Sequence, residues 1–361
     1  MKRTILLITL LIASFSLFFS YGQNINAEEL IHEGMELHDE GKFKEAIEKY
    51  TEALKVDPKS VQATYELSLS YLAYQDYQNA SIFSTAVINS GNKQLSAGAY
   101  AVKSEALAGM EKVDEAIALL QEGLTKNGDD YLLHFNLALN YYKKGDNDKT
   151  LSHIKRAIDL EKSHSGAFLL NAHALNDSGL WVQSILSYQM FLLLEPDSKR
   201  SKSAFEEMLN IMRIKMAEAP VQRSFIQQQM MGNNPDTIPK SGELPPLTIE
   251  EGLNRNLVYH AITTTLDSLK NSSEEKNEFI FFKVINKEIM NVLNRESKGE
   301  KEGTFWTFYI PFFSHIAESG YYDTFCRYIS VSYFPESLEW WQQNPGDAVD
   351  FVIWFEKGDE E

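Results

Sequence analysis

Cysteine occurs once in the 361 residues, at position 326, so neither an internal disulfide framework nor a Cys-rich zinc site can organise this chain. Positive charge is also scarce: 34 Lys and Arg stand against 51 Asp and Glu, a formal charge of −17. No sustained Lys/Arg stripe breaks that acidity, which argues against a nucleic-acid surface, because phosphate contacts need a basic face. The GxSxG, HExxH and Walker glycine signatures are all missing. Eight histidines are scattered, and His32 and His38, six residues apart, fall on opposite sides of a helix rather than on one ligand face. His315 and Cys326 lie on neighbouring predicted helices without a third orienting group, so Cys326 reads as a buried structural residue. Adjacent carboxylates such as Glu206 and Glu207 read as a solvated face. Neither a cofactor nor a metal is implied, and an enzyme is not expected. What remains, 43% apolar and 12% aromatic residues over a length suited to about two folding units, is enough to build real cores.

The N-terminus reads as an address. Lys2 and Arg3 precede an apolar run from Ile5 to Phe19, and Ser20-Tyr21-Gly22 offers small residues before a cut ahead of Gln23. Charged start, short apolar run and small-residue site predict a cleaved signal peptide over 1–22. The run of about fifteen residues falls short of the roughly twenty that a spanning helix needs. No lipid-anchor cysteine follows it, and removal makes the chain more acidic still. The expected destination is the periplasm or the medium, by the bacterial envelope route, with no transmembrane span in the mature chain.

A fixed-period pattern organises residues 27–196. From Ala27 the chain reads AEELIHEGMELHDEGKFKEAIEKYTEALKVDP. Leu30, Gly34 and Leu37 fall on one face of a first helix, which Gly41 breaks; Phe43, Ala46-Ile47, Tyr50 and Ala53-Leu54 line a second, which Pro58 ends. The pattern returns at intervals of 34, 36, 34 and 34 residues, giving units 27–60, 61–96, 97–130, 131–164 and 165–198. Gln75 takes the turn position of the second unit and Ser84 its aromatic one. In the fourth, Thr150 replaces the usual Ala. This periodicity resembles the tetratricopeptide repeat (TPR), with a small residue in the middle of helix A, a turn Gly, Ala then an aromatic in helix B, and a closing Pro.

The resemblance implies an all-α fold: a right-handed superhelix of about five helical hairpins, followed by a C-terminal helical region. It also implies function in the groove lined by the A helices. The positions that would face it are Ile31 and Met35, Tyr65 and Leu69, Ala101 and Glu105, Phe135, Leu139 and Tyr142, then Leu169, His173 and Asn176. Of these, Met35, Tyr65, Leu69, Phe135, Leu139, Tyr142, Leu169, His173 and Asn176 are the candidate peptide contacts. The Lys/Asn/Arg clamp that holds acidic tails in this family is missing. An apolar, aromatic groove with acidic rims favours a protein or peptide partner that is basic or anchored by apolar residues.

Residues 199–219 continue the helical period as a capping helix, and 220–246, with five prolines, reads as a linker. Beyond it, 247–357 reads as an aromatic-rich helical domain. Thr248-Ile249-Glu250-Glu251 predicts a helix from about Ile249 to Lys270, and Ser273 predicts the start of the next. Phe312-Phe313, Ile316, Gly320 and Tyr322 faintly echo one more hairpin. Between Phe305 and Phe355 lie 17 of the 43 aromatics and four of the five Trp. Such density predicts a compact core; the alternative is an exposed aromatic surface at Trp340 and Trp341, suited to a glycan or a protein partner. The leading expectation is a non-catalytic scaffold of the bacterial cell envelope, and the alternative a glycan-binding surface or periplasmic protein.

Overall fold

The computed structural model describes residues 26–213, 253–271, 277–299, 301 and 303–357. The expected signal peptide, the proline-rich linker and the helix starts at Thr248 and Ser273 lie outside the described residues. Within them every regular element is helical. Five hairpins come first: α1 (Ala27–Asp39) with α2 (Phe43–Val56), α3 (Val61–Ala73) with α4 (Tyr77–Ser90), α5 (Lys93–Gly109) with α6 (Val113–Asn127), α7 (Tyr131–Lys143) with α8 (Asn147–Leu160), and α9 (Ser165–Asp177) with α10 (Trp181–Leu194). Then follow α11 (Lys199–Ile211), α12 (Arg255–Asn271), α13 (Glu278–Glu296), a π-type turn at Phe305–Tyr309, α14 (Ile310–Glu318), α15 (Tyr322–Ile329), α16 (Pro335–Gln343) and α17 (Pro345–Lys357). The fold is all-α, as the repeat pattern implies.

Local chemistry sets the ends of these helices. Asn26, Ser60, Asp76, Asn92, Asp146 and Ser198 each accept a backbone N–H of the first turn, satisfying a donor the helix itself leaves unpaired. At every A-to-B turn one residue adopts the left-handed backbone: Gly41 (φ 76°), Gln75 (65°), Glu111 (64°), Gly145 (74°) and Gly179 (75°). The next N–H then reaches back five residues, from Lys42 to Leu37 (2.8 Å), Asp76 to Tyr71 (2.9 Å), Lys112 to Leu107 (2.9 Å), Asp146 to Tyr141 (3.0 Å) and Leu180 to Leu175 (2.8 Å). One sequence expectation shifts. The third hairpin begins at Lys93 rather than Ala97, because left-handed Gly91 ends α4 and Asn92 caps α5 one turn earlier.

The chain forms two compact units that divide between Asn140 and Tyr141, within α7. In the first, Leu30, Ala46, Tyr50, Ala53, Ala63 and Leu67 form the core of the first hairpin and α3. Gly34 lets α1 lie against the Tyr50 ring: a Cβ there would stand 2.5 Å from Tyr50 Cε1. Gly109 makes the same room for Tyr77, 2.6 Å from a Cβ that is not there.

In the second unit, α10 is buried on nearly every side, from Val182 through Leu193 apart from Gln183. The C-terminal helices supply much of that cover. Gln189 Nε2 donates to Asn286 Oδ1 (2.9 Å), both residues fully buried, and Phe205 packs edge-on against Phe282 (4.9 Å) and Phe334 (5.5 Å). Glu195 ties the junction of α9, α10 and α11. It binds Arg200, Ser198 and Ser165, and the Arg200 hydrogen bond, outweighing burial, holds its carboxyl down to about 2. The echo of a sixth hairpin at 312–322 does not carry the repeat turn. Ser319 is extended and Gly320 is not left-handed. Pro311, unable to donate, follows the π-type turn in which Ile310 N–H bonds Phe305 O. The last helix starts at Pro345, whose fixed φ suits a first helical turn.

Gln75 and Glu111 hold side chains where the backbone favours Gly. Gln75→Gly and Glu111→Gly are each expected to raise the unfolding free energy by roughly 0.5 to 1 kcal/mol, relief of left-handed strain exceeding the added chain entropy. Urea denaturation measures this, and a loss of stability in both variants would contradict the turn assignment.

Candidate functional site

In the first unit the A helices present Met35, Tyr65, Leu69, Phe135 and Leu139. Met35 is 41% exposed and the other four are half-buried. Tyr65 lies across the third hairpin: a Cβ at Gly98 of α5 would collide with its hydroxyl. The aromatic ring of one hairpin therefore covers the gap left by the small residue of the next, and burial pushes the Tyr65 phenol up. Ala101 is buried beside this contact.

In the second unit the corresponding positions turn polar. Tyr142 is only 8% exposed, and its hydroxyl donates to Asp177 Oδ2 at 2.7 Å. Leu169 and Asn176 are half-buried. The His173 side chain is 13% exposed, with Nδ1 3.1 Å from Tyr188 Oη and 3.2 Å from Glu207 Oε2. Tyr188, fully buried in α10, donates its hydroxyl to Glu207 Oε2 at 2.7 Å. Burial, then the Glu207 charge, pushes the Tyr188 phenol far up; burial, then Asp177, does the same to Tyr142. For Glu207 burial opposes ionisation, but the hydrogen bonds from His173 and Tyr188 outweigh it and hold the carboxyl below its usual range.

Glu207 therefore corrects the reading of Glu206 and Glu207 as a solvated face: it is half-buried and part of a hydrogen-bonded network. A signal was available. Leu139, His173 and Glu207 stand 34 residues apart, so the repeat period runs on into α11.

Trp340 and Trp341 are half-buried. Trp341 packs against Tyr328 (5.1 Å), and the Arg327 guanidinium lies over Trp340 (5.4 Å) and Phe279 (4.7 Å). Phe313, Phe325 and Phe351 are fully buried, so much of the aromatic block serves as core. Burial pushes the Cys326 thiol up to about 12, while His315 is exposed and stacks on Trp354 (5.4 Å). Among the described residues no group of three or more His, Cys, Asp and Glu is placed to hold a metal ion.

Residues 34–75 match the family model described as TPR repeat. Among solved structures, the chain is similar to TTC0263, a thermophilic TPR protein of Thermus thermophilus. The identity is 20%, over 52% of this chain and 99% of that one, with a TM-score of 0.45. It is also similar to YrrB, a TPR protein with an unusual peptide-binding site (18% identity, 50% and 91% coverage, TM-score 0.34). A third is PilW, a type IV pilus biogenesis factor (15%, 52% and 86%, 0.44). No curated protein matches.

The ionised Glu207 is stabilised by folding. Its contribution is thus complete above the ordinary glutamate value of 4.5 and drains away as pH falls through the lower folded value. Tyr188→Phe is expected to cost about 2 kcal/mol at pH 7, the worth of a hydrogen bond to a charged group. Glu207→Gln should narrow the stability gap between neutral and acidic solution, read by denaturant titration at both. An unaltered gap would mean the network carries no proton-linked stability.

Proposed function

We propose that this tetratricopeptide-repeat protein is a non-catalytic scaffold of the bacterial cell envelope, holding a protein partner through a peptide segment laid along the A helices. The observation that carries the reading is the recurrence of Met35, Tyr65, Leu69, Phe135 and Leu139 at equivalent A-helix positions, each keeping part of its apolar area in solvent. Tyr and Phe offer large contact area at low entropic cost, which suits an apolar anchor of a bound segment. The absence of the Lys/Asn/Arg clamp removes the usual reason for an acidic tail to bind, and the overall charge of −17 favours a basic partner.

The C-terminal helices attach through Gln189 of α10 and Phe205 of α11, and also through Arg255, which donates to Gly179 O, and Arg213, which donates to Tyr259 Oη. That attachment fits a terminal buttress for the last hairpin. The only cysteine is fully buried, which removes it as a nucleophile. Among the described residues no helix is long and apolar enough to cross a membrane. The envelope assignment rests on Lys2, Arg3, the apolar run and Ser20-Tyr21-Gly22.

Two measurements check this reading. Tyr65→Ala with Phe135→Ala should reduce partner recovery from an envelope extract roughly tenfold or more while circular dichroism stays helical, as loss of interface anchors does. Equal recovery by the wild-type and variant chains would remove the groove from the proposal. The protein recovered from fractionated cells should begin at Gln23 and partition with the envelope; a full-length cytoplasmic chain would overturn the export reading.

A further inference from the structure

Ser60, Asp130, His164 and Ser198 hold the same place in the repeat, the residue before a helix A. Three of them cap with oxygen: Ser60 accepts from Ala63 N–H, Asp130 from Leu132 N–H at 2.9 Å and Ser198 from Ser201 N–H. The fifth hairpin caps with nitrogen. His164, with an extended backbone (φ −79°, ψ 95°), accepts the Ala167 N–H on Nδ1 at 3.1 Å. That N–H is shared with His164 O at 3.0 Å. A hydroxyl or carboxylate oxygen keeps its lone pairs through the range around neutrality. An imidazole nitrogen accepts only while it carries no proton, so the α9 cap exists only in the neutral ring with its proton on Nε2.

The surroundings oppose a proton on that ring. His164 is half-buried, and a positive charge there stands at the N-terminal end of α9, where unpaired N–H groups already make the potential positive. Arg200, in the first turn of α11, adds a like charge, and Glu161 on the preceding loop opposes it. Burial, then Arg200, holds the imidazole below the ordinary histidine value of 6.5. The neighbouring charges have tasks of their own. Glu161 accepts from Ser163 N–H and Oγ at 3.0 and 2.6 Å, and Lys162 Nζ lies over the Phe308 ring at 5.9 Å. Arg200 pairs with Glu195, which also accepts from Ser165 Oγ at 2.8 Å. A proton arriving on His164 therefore removes an acceptor from Ala167 and repels the arginine whose partner holds Ser165, the first residue of α9. Since the unfolded chain takes up this proton at higher pH than the folded one, the contribution of the cap is complete above about 6.5 and drains away as pH falls through the lower folded value.

We propose that His164 is a proton-released cap, which holds the start of α9 while its ring is neutral and lets go in mildly acidic solution. Helix α9 carries Leu169, His173 and Asn176, so the proton also loosens the share of the candidate binding face that the fifth hairpin supplies; this consequence rests on the reading of the A helices as that face. Of the titratable groups on α9 itself, Asp177 accepts from Tyr142, and a positive charge on His173 is drawn to Glu207 at 3.2 Å, which tightens the helix. The cap and His173 thus answer acid with opposite signs, and a substitution at position 164 isolates the cap.

The test is amide hydrogen exchange on the full chain at about pH 7.5 and about pH 5, corrected for intrinsic exchange rates, with α1, capped by Asn26, as the internal reference. Relative to α1, protection of residues 165–170 in the wild type should fall roughly fivefold on acidification, the equilibrium equivalent of a lost N-cap. His164→Asn, whose amide oxygen caps without titrating, should keep its protection at both values. His164→Ala should show the lower protection at both. The same pH dependence in the wild type and in His164→Asn would overturn the proposal, and so would a His164→Ala chain as well protected as the wild type near neutrality. Partner recovery from the envelope extract should drop at the acidic value for the wild type and hold for His164→Asn. If exchange behaves as expected while recovery at the acidic value is equal for the two chains, the cap stands and its reach to the binding face is overturned. If Tyr65→Ala with Phe135→Ala leaves recovery unchanged, the groove reading fails and the exchange result still decides the cap.

Discussion

Everything in the first unit follows from how closely helix A can approach helix B. Gly34 has no Cβ, and that absence lets the Tyr50 ring lie under the α1 backbone. A hairpin closed this tightly buries Ala46, Tyr50 and Ala53 completely, yet still leaves a face that only the next hairpin can cover. The same close approach buries Tyr50 and Tyr188 of helix B and Tyr100 of helix A, whose hydroxyls then need partners inside the fold.

Those hydroxyls meet carboxylates with different outcomes. Tyr100 donates to Glu122 at 3.0 Å, and Lys126 completes that group. Tyr188 donates to Glu207, His173 adds a second contact, and the carboxyl is held below its usual range despite burial. Glu66 receives only Gln62, and its carboxyl is pushed up instead. Hydrogen bonds decide the first two cases, and burial decides the third.

Much of this was legible in the sequence because the repeat constrains it locally. Gly41, Gly145 and Gly179 announce their turns by residue type, and the period places Gln75 at a fourth. Glu111, with nothing glycine-like about it, takes the fifth because the chain closes the same hydrogen-bonded turn around it. The start of α5 falls one turn earlier than the period suggests, since Gly91 and Asn92 end one helix and cap the next without the proline that marks other boundaries. The polar network was only half visible. His173 and Tyr142 fall at groove positions, but Glu207 reads as solvent-facing unless α11 is seen to continue the 34-residue spacing. The docking of the C-terminal helices had no local trace at all: Gln189 and Asn286 are 97 residues apart, and a buried amide pair leaves no periodic mark.

The central claim is that the missing Cβ of Gly34 is what lets the Tyr50 ring close the first hairpin. The most direct measurement is urea denaturation of Gly34→Ala beside Gly34→Ala with Tyr50→Leu. Gly34→Ala should lower stability by roughly 1 to 3 kcal/mol, as overpacking does, and the smaller side chain at position 50 should recover part of the loss. A Gly34→Ala chain as stable as the wild type would contradict the account.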